Sequence, residues 1–459
     1  MQVLLISTYE LGRQPFGLAS PAAWLKRTGA SVTCIDLAVQ SLSSEMIGSS
    51  DLVAFYLPMH TATRIAIPIV ERVRRINPKA HLCFYGLYAP LNQSLLRKLG
   101  AQTILGGEFE EGLSSLVKSL SEGRRPPGAP QPEPVVSLSK LRFLVPDREG
   151  LPDLSQYAHL DTGSTGFRTV GYTEATRGCK HLCRHCPIVP VYGGQFRVVQ
   201  RDVVLRDIAN QVESGAEHIT FGDPDFFNGP SHAIKVVKSL HREWPELSYD
   251  VTIKIEHLLD HRNHLLVLRD TGCLFVTTAV ESLDDDVLRI LDKGHTREDF
   301  LRVVSLFSDL PMTLNPTFIP FTPWTTLEGY LELLEVMEEL DLVEHVSPIQ
   351  YAIRLLIPRG SRLLKYPGVR ERVGDFDERT LVYPWRHSDR RVDRLQEEVF
   401  KAVRELDSRE HSRTEVFCRV LDSAERATGR GSAVRIDERG GGRKVSRSPV
   451  PHLTEPWYC

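Results

Sequence analysis

Three cysteines stand close together near the middle of the chain, in Arg177-Gly178-Cys179-Lys180-His181-Leu182-Cys183-Arg184-His185-Cys186. The spacing C-x3-C-x2-C puts three thiols on one tight loop, and three thiolates can hold three irons of a [4Fe–4S] cluster. The fourth iron then has no ligand in the motif and is open to another molecule. Arg177, Lys180, His181 and Arg184 surround the thiols with positive charge, which is expected to favour thiolates and an anionic cluster. Two other readings stay open. A zinc site needs a fourth ligand, and no second C-x2-C pair is present, although His181 or His185 could supply one locally. The third reading is three reduced thiols without metal. Cys34, Cys83, Cys273 and Cys418 fall mostly in apolar runs and read as small core residues.

The loop needs elements to hold it. From about residue 170 to 365, strand patterns at Gly171–Thr176, His218–Gly222, Asp250–Ile255, Cys273–Ala279, Leu314–Pro320 and Tyr351–Ile357 alternate with helical ones. Six βα units imply a barrel-like sheet with its active face at the strand C-termini, where the cysteine loop begins. Residues 1–120 carry five further strand patterns, Val3–Ser7, Val32–Asp36, Leu52–Leu57, Leu82–Gly86 and Thr103–Leu105, separated by helix-like stretches. Apolar strands between helices predict a doubly wound, flavodoxin-like parallel sheet that binds ligands at the strand C-termini.

Composition bounds the rest. The chain has 459 residues, 41% hydrophobic and 25% charged, with a net charge of −3, so it has apolar material for more than one core. The charge balance gives no reason to expect nucleic acid as an obligatory partner. Eight cysteines are too few for a disulfide scaffold and fit reduced cytoplasmic thiols. The opening Met1–Ser7 reads as a first strand rather than a signal peptide, and no apolar run approaches the ~18 residues of a spanning helix. Five prolines within 122–135 mark an extended linker. The expected division is a doubly wound domain at 1–121, a Pro-rich linker and wrapping segment at 122–168, and a barrel at 169–365. A helical region at 366–428 and a flexible basic tail at 429–459, rich in Gly, Arg and Ser, complete the chain.

The motif resembles that of the radical S-adenosylmethionine (SAM) enzymes, whose C-x3-C-x2-C signature follows the first barrel strand. The resemblance runs in order through about 170–365. Gly222-Asp223-Pro224-Asp225 follows the second strand, where the family receives the SAM amino group. Ala279-Val280-Glu281-Ser282 follows the fourth, where related members contact SAM, and Lys293-Gly294 lies shortly beyond. His185 stands where the family has an aromatic ring near the adenine. The resemblance implies a [4Fe–4S] cluster on Cys179, Cys183 and Cys186, with Gly222, Asp223, Asp225, Glu281, Ser282 and His185 as candidates for SAM. Read alone, Asp-Pro is a common turn and Glu-Ser after a strand can cap the next helix.

Arg354-Leu355-Leu356-Ile357-Pro358-Arg359-Gly360-Ser361, together with Phe16-Gly17-Leu18-Ala19 and Gly107-Glu108-Phe109-Glu110, is similar to the subgroup with a cobalamin-binding domain in front. This resemblance implies a corrinoid between the first sheet's C-terminal edge and the barrel mouth, with Thr8, Tyr9, His60, Gly86 and Gly107 as candidate contacts. The Asp-x-His-x-x-Gly motif that supplies a lower histidine elsewhere is absent, and a relic domain that only packs on the barrel is the rival. The ending Pro456-Trp457-Tyr458-Cys459 looks like the tail of the CUAEP/CCAEP-tail radical SAM (seleno)proteins, which implies a selenocysteine codon after Cys459. Methylation of an unactivated carbon of a small molecule or peptide is the leading expectation, with flavodoxin or ferredoxin as electron donor. Cobalamin-independent rearrangement, oxidation or sulfur/selenium chemistry comes second, and a non-catalytic metal- or corrinoid-binding module third.

Overall fold

The computed structural model describes residues 1–123, 135–163, 166–406, 411–430 and 450–455. Five strands, β1 (Gln2–Ser7), β2 (Ser31–Asp36), β3 (Leu52–Tyr56), β4 (His81–Tyr85) and β5 (Thr103–Gly107), pair in parallel in the order β2-β1-β3-β4-β5. β3, β4 and β5 are buried at every residue, because helices such as Phe16–Lys26, His60–Ile76 and Glu110–Ser121 cover the sheet. A sixth strand, β6 (Val135–Ser137), joins β5 in parallel. It lies in the segment expected to be irregular, since three residues after a Pro-rich stretch carry no readable period.

The second sheet opens with β7 (His159–Asp161) and β8 (Phe167–Thr173). The chain then makes a short hairpin of β9 (Thr176–Gly178) and β10 (Phe196–Val198) and returns through β11 (His218–Phe221), β12 (Ser248–Thr252), β13 (Cys273–Glu281) and β14 (Thr313–Phe318). β8, β11, β12, β13 and β14 are parallel neighbours in that order and form a curled half-barrel. The expected strand Gly171–Thr176 is thus divided in two, and the cysteine loop starts from the hairpin.

The expected sixth strand, Tyr351–Ile357, is not a ladder. Residues Pro348–Tyr351 form a 3-10 turn, and a single bridge joins Phe321 to Arg354. Its carbonyls are committed elsewhere: Leu355 accepts from the Trp385 indole (2.8 Å) and Ile357 from the Tyr383 N–H (2.8 Å). The Arg354 guanidinium lies 3.5 Å from the Trp385 ring centroid. The region after 365 therefore takes the pairing that a sixth neighbour would need. Its helices Arg390–Leu406 and Arg413–Thr428 pack on each other, and the second also packs on Leu327–Glu339.

The tail departs from a wholly flexible one. β15 (His452–Leu453) pairs antiparallel with β7, and Leu453 packs on Leu160, Val170 and Phe275. Cys459 and most of the basic stretch lie outside the described residues. Among the described residues no helix is long and apolar enough to cross a membrane.

Candidate functional site

Gly178 precedes the first cysteine at φ +76°, and a Cβ there would stand 2.4 Å from the Tyr192 ring and 2.6 Å from the Gln195 carbonyl. Only glycine passes this point without displacing backbone. The loop that follows is clamped. Asn228 accepts from the Lys180 N–H (3.1 Å) and donates to the Gly178 carbonyl (3.1 Å). Arg184 donates its N–H to Leu291 (2.8 Å) and its guanidinium to Arg289 and Ile290 carbonyls, while Ser361 donates to the Arg184 carbonyl (3.1 Å). Asn228 carries no signal in the sequence that would have singled it out.

Cys183 is buried, Cys179 and Cys186 are half-buried, and all three are free thiols. Burial pushes the Cys179 thiol up to about 11 and the Cys186 thiol up to about 12, although N–H groups of His181 and Ile188 point at their sulfurs. At Cys179 and Cys186 desolvation outweighs the cations nearby. Arg177 is also spent elsewhere, on Glu110 (2.6 Å), Glu174 (2.7 Å) and Glu108 (3.2 Å). The cation facing Cys183 and Cys186 is Lys293, itself buried.

The donor set fits an iron–sulfur cluster better than one zinc ion. Among the described residues, the metal-competent trio with ligand atoms within 4.8 Å of one another is His181, Asp225 and His257, so the three thiols do not converge on one point. His185 offers Nε2 to Glu281 (3.2 Å) and His181 faces Asp225 (3.3 Å), so neither is turned to a zinc site with the cysteines.

The proposed SAM contacts divide by environment. Gly222 lines a cavity of about 350 Å³ in the half-barrel, within the range of small-molecule sites, together with Asp223, Thr252, Thr277 and Thr317. A Cβ at Gly222 would lie 1.8 Å from the Tyr172 hydroxyl. Asp223 is a clasp: its carboxylate accepts from Thr176 Oγ1 (2.6 Å) and Ala175 N–H (2.9 Å), and burial raises it to about 7. Glu281, at φ +69°, ends β13 with Oε1 shared by Lys293 (3.1 Å) and His185 (3.2 Å). Burial works against its charge, but Lys293 and His185 hold it well below the usual carboxylate range. Ser282 accepts from the Asp284 N–H (3.0 Å), and the next helix is capped by Asp284 rather than by the Glu-Ser pair. Asp225 lies buried between His181 and His257, away from the cavity lining.

A second cavity, of about 230 Å³, opens between the two sheets and is lined by Gly86, Gly107, Tyr56, Phe109, Ile188 and Tyr192 among others. The two cavities share Leu11, Arg13, Gly222 and Pro224 as a common wall. Thr8, Tyr9 and His60 are not on this lining. Thr8 donates to the Ala62 carbonyl (2.8 Å), half-buried Tyr9 follows β1, and His60 Nε2 meets the Thr380 carbonyl (2.5 Å). The glycines and aromatic rings suit a flat macrocycle with no histidine beneath it. The gap is smaller than a corrinoid and must widen to take one.

Residues 173–334 match the radical SAM superfamily. The chain is similar to a ribosomal protein uS12 methylthiotransferase of Natranaerobius thermophilus, with 23% identity over 39% of this chain and 42% of that protein. It spans about half the length of the curated relatives it matches, 42% and 59% of the first two. In fold it resembles the radical SAM methyltransferase TsrM of Kitasatospora setae (TM-score 0.60, 18% identity, 74% of this chain and 71% of that). It also resembles the cobalamin-dependent SAM radical enzyme OxsB (TM-score 0.69, 15% identity, 93% and 71%). The C-x3-C-x2-C loop at the first strand of a curled parallel sheet and the match over 173–334 lead to one conclusion: this stretch is a radical SAM superfamily domain.

Proposed function

We propose that the chain is a radical SAM methyltransferase that uses cobalamin, with an unactivated carbon of a small molecule or peptide as its target. When bound, a [4Fe–4S] cluster with SAM supplies a carbon-centred radical by one-electron reduction of the sulfonium, and a corrinoid supplies a carrier for the methyl group. The observation that carries this reading is the clamped loop with three free thiols, whose local histidines are turned to Asp225 and Glu281 instead of completing a four-ligand site.

The chain's own residues do the remaining work. Cys179, Cys183 and Cys186 hold the cluster, and buried Lys293 offsets negative charge beside Cys183 and Cys186. Glu281 and His185 offer a polar pair at the C-terminal end of β13 for the SAM head. Gly222 keeps the wall between the two cavities thin. Val450, Pro451, His452 and Leu453 line the half-barrel cavity and exclude water from one side of it. Gly86 and Gly107 line the edge of the first sheet where the gap must widen for a macrocycle. A flavodoxin or ferredoxin serves as the electron donor.

Anaerobic incubation with SAM, reductant and hydroxocobalamin tests the reading. It requires acid-labile sulfide with at least as much iron, 5′-deoxyadenosine and S-adenosylhomocysteine as products, and a corrinoid spectrum that survives desalting. Loss of the corrinoid colour with 5′-deoxyadenosine retained favours the second reading, a cobalamin-independent enzyme, and the methylthiotransferase name of a relative points within that reading to sulfur chemistry. Absence of both products leaves a metal- or corrinoid-binding module.

A further inference from the structure

We propose that His181, Asp225 and His257 bind a divalent first-row transition-metal ion, zinc or iron(II), in a site separate from the thiol loop. His181 comes from the cysteine loop, Asp225 from the turn after β11, and His257 from the helix Ile255–Asp260 that follows β12. Three elements thus bring one ligand atom each to within 4.8 Å of the others. Asp225 Oδ2 lies 2.6 Å from His257 Nδ1 and 3.3 Å from His181 Nε2. Ligands about 2.0–2.1 Å from a tetrahedral zinc ion stand roughly 3.3 Å apart, so the Asp225–His181 spacing already suits a shared ion, and the Asp225–His257 pair must open by about 0.7 Å to take one.

The Asp225 carboxylate draws both imidazoles into ion-pair range, and both hold its pKa down, but the geometry falls short of full hydrogen bonds. His181 Nε2, Asp225 Oδ2 and His257 Nδ1 are all buried atoms that make no hydrogen bond of acceptable geometry. Asp225 is 0% exposed and His257 3%. Three converging polar atoms left unsatisfied at such depth call for a ligand. The other atoms of the trio are arranged as outer contacts of a metal site. The Phe227 N–H donates to Asp225 Oδ1 (3.2 Å), which leaves Oδ2 free to ligate. Glu256 Oε2 stands 3.6 Å from His181 Nδ1, on the far nitrogen of the ring, as a carboxylate behind a metal-bound histidine does. Two neutral imidazoles and one carboxylate also leave coordination positions for water or for an oxygen ligand, the pattern of open zinc and non-haem iron sites. This inference does not depend on the methyl-transfer reading, and it removes Asp225 from the set available to SAM.

The test is a metal inventory of the full chain purified without oxygen. Iron, zinc and acid-labile sulfide are counted on the wild type, on His257→Ala, on Asp225→Asn and on a Cys179→Ser/Cys183→Ser/Cys186→Ser chain. The wild type should carry one divalent ion beyond the iron that matches its sulfide. His257→Ala and Asp225→Asn should lose that ion and keep iron and sulfide in the cluster ratio. The triple cysteine variant should lose all sulfide and retain the single ion, and added Co(II) should give it the visible bands of a four- or five-coordinate centre that His257→Ala abolishes. Far-ultraviolet circular dichroism checks that each variant folds. Metal that never exceeds the sulfide, together with no Co(II) bands in the wild type, overturns the proposal. So does an extra ion that persists in both His257→Ala and Asp225→Asn.

Discussion

Removing the charge of Arg177 should loosen the first sheet from the barrel by a calculable amount. Arg177 is 7% exposed and is held by Glu108 and Glu110, which follow β5, and by Glu174 at the end of β8. Its guanidinium also lies 4.7 Å from the Phe143 ring centroid. Arg177→Met keeps the volume and leaves buried carboxylates without a cation, which costs about 3–5 kcal/mol. That is roughly a hundred- to several-thousandfold in the opening equilibrium. Burial already raises Glu108 from 4.5 to about 7, and the nearby Arg177 opposes that rise, so the variant carries Glu108 higher still. A carboxylate that can protonate on folding limits its own penalty to about 1.36 kcal/mol for each pH unit above 4.5. The ceiling per carboxylate is therefore about 1.4 kcal/mol at pH 5.5 and about 4.8 kcal/mol at pH 8. Amide hydrogen exchange, corrected for intrinsic rates, reads this at β9 and at the helix Glu110–Ser121. Protection should fall by the stated factor at pH 8 and by less at pH 5.5. Unchanged protection at pH 8, or equal losses at the two pH values, would refute the reasoning.

Other substitutions probe the site directly. Cys179→Ala, Cys183→Ala and Cys186→Ala should each bring sulfide, the iron that matches it and SAM cleavage to background with the fold intact, measured by metal analysis and product chromatography. Gly222→Ala places a Cβ 1.8 Å from the Tyr172 hydroxyl and should cost about 1–3 kcal/mol by overpacking, read from the denaturation midpoint. Asp223 is raised from 3.8 to about 7, so its contribution to stability is fully present below about 3.8 and declines by about 4 kcal/mol as the pH rises to about 7. Asp223→Asn should flatten that part of the pH profile of unfolding. A slope unchanged by the substitution would show that the charge on Asp223 is not its source.

Much of the architecture was readable from period and composition. Apolar runs such as Leu52–Tyr56 between helical patterns mark a covered parallel sheet, since only strands buried on both faces lack alternation. The cysteine loop was equally plain, because its ligands are adjacent in the chain and their spacing is the chemistry. Local pattern said little where backbone groups are claimed from far away. The Tyr351–Ile357 run has the composition of a strand, but Trp385 and Tyr383 take its carbonyls. The tail has the composition of a linker, but Leu453 finds an apolar seat on Leu160 and Phe275.

The residues alone determined that three thiols lie on one loop after a strand, and that two α/β units stand in series. Only the folded chain decided what surrounds those thiols. Arg177 neighbours Cys179 in sequence yet is drawn to Glu108 and Glu110, while Lys293, more than a hundred residues later, is the cation that faces Cys183 and Cys186. His181 and His185 were interchangeable as neighbours of the cysteines, and tertiary contacts send one to Asp225 and His257 and the other to Glu281. The reason is that charge and burial act through space: a side chain's partners are set by which strand ends meet at the mouth of the sheet, and sequence distance carries no record of that meeting.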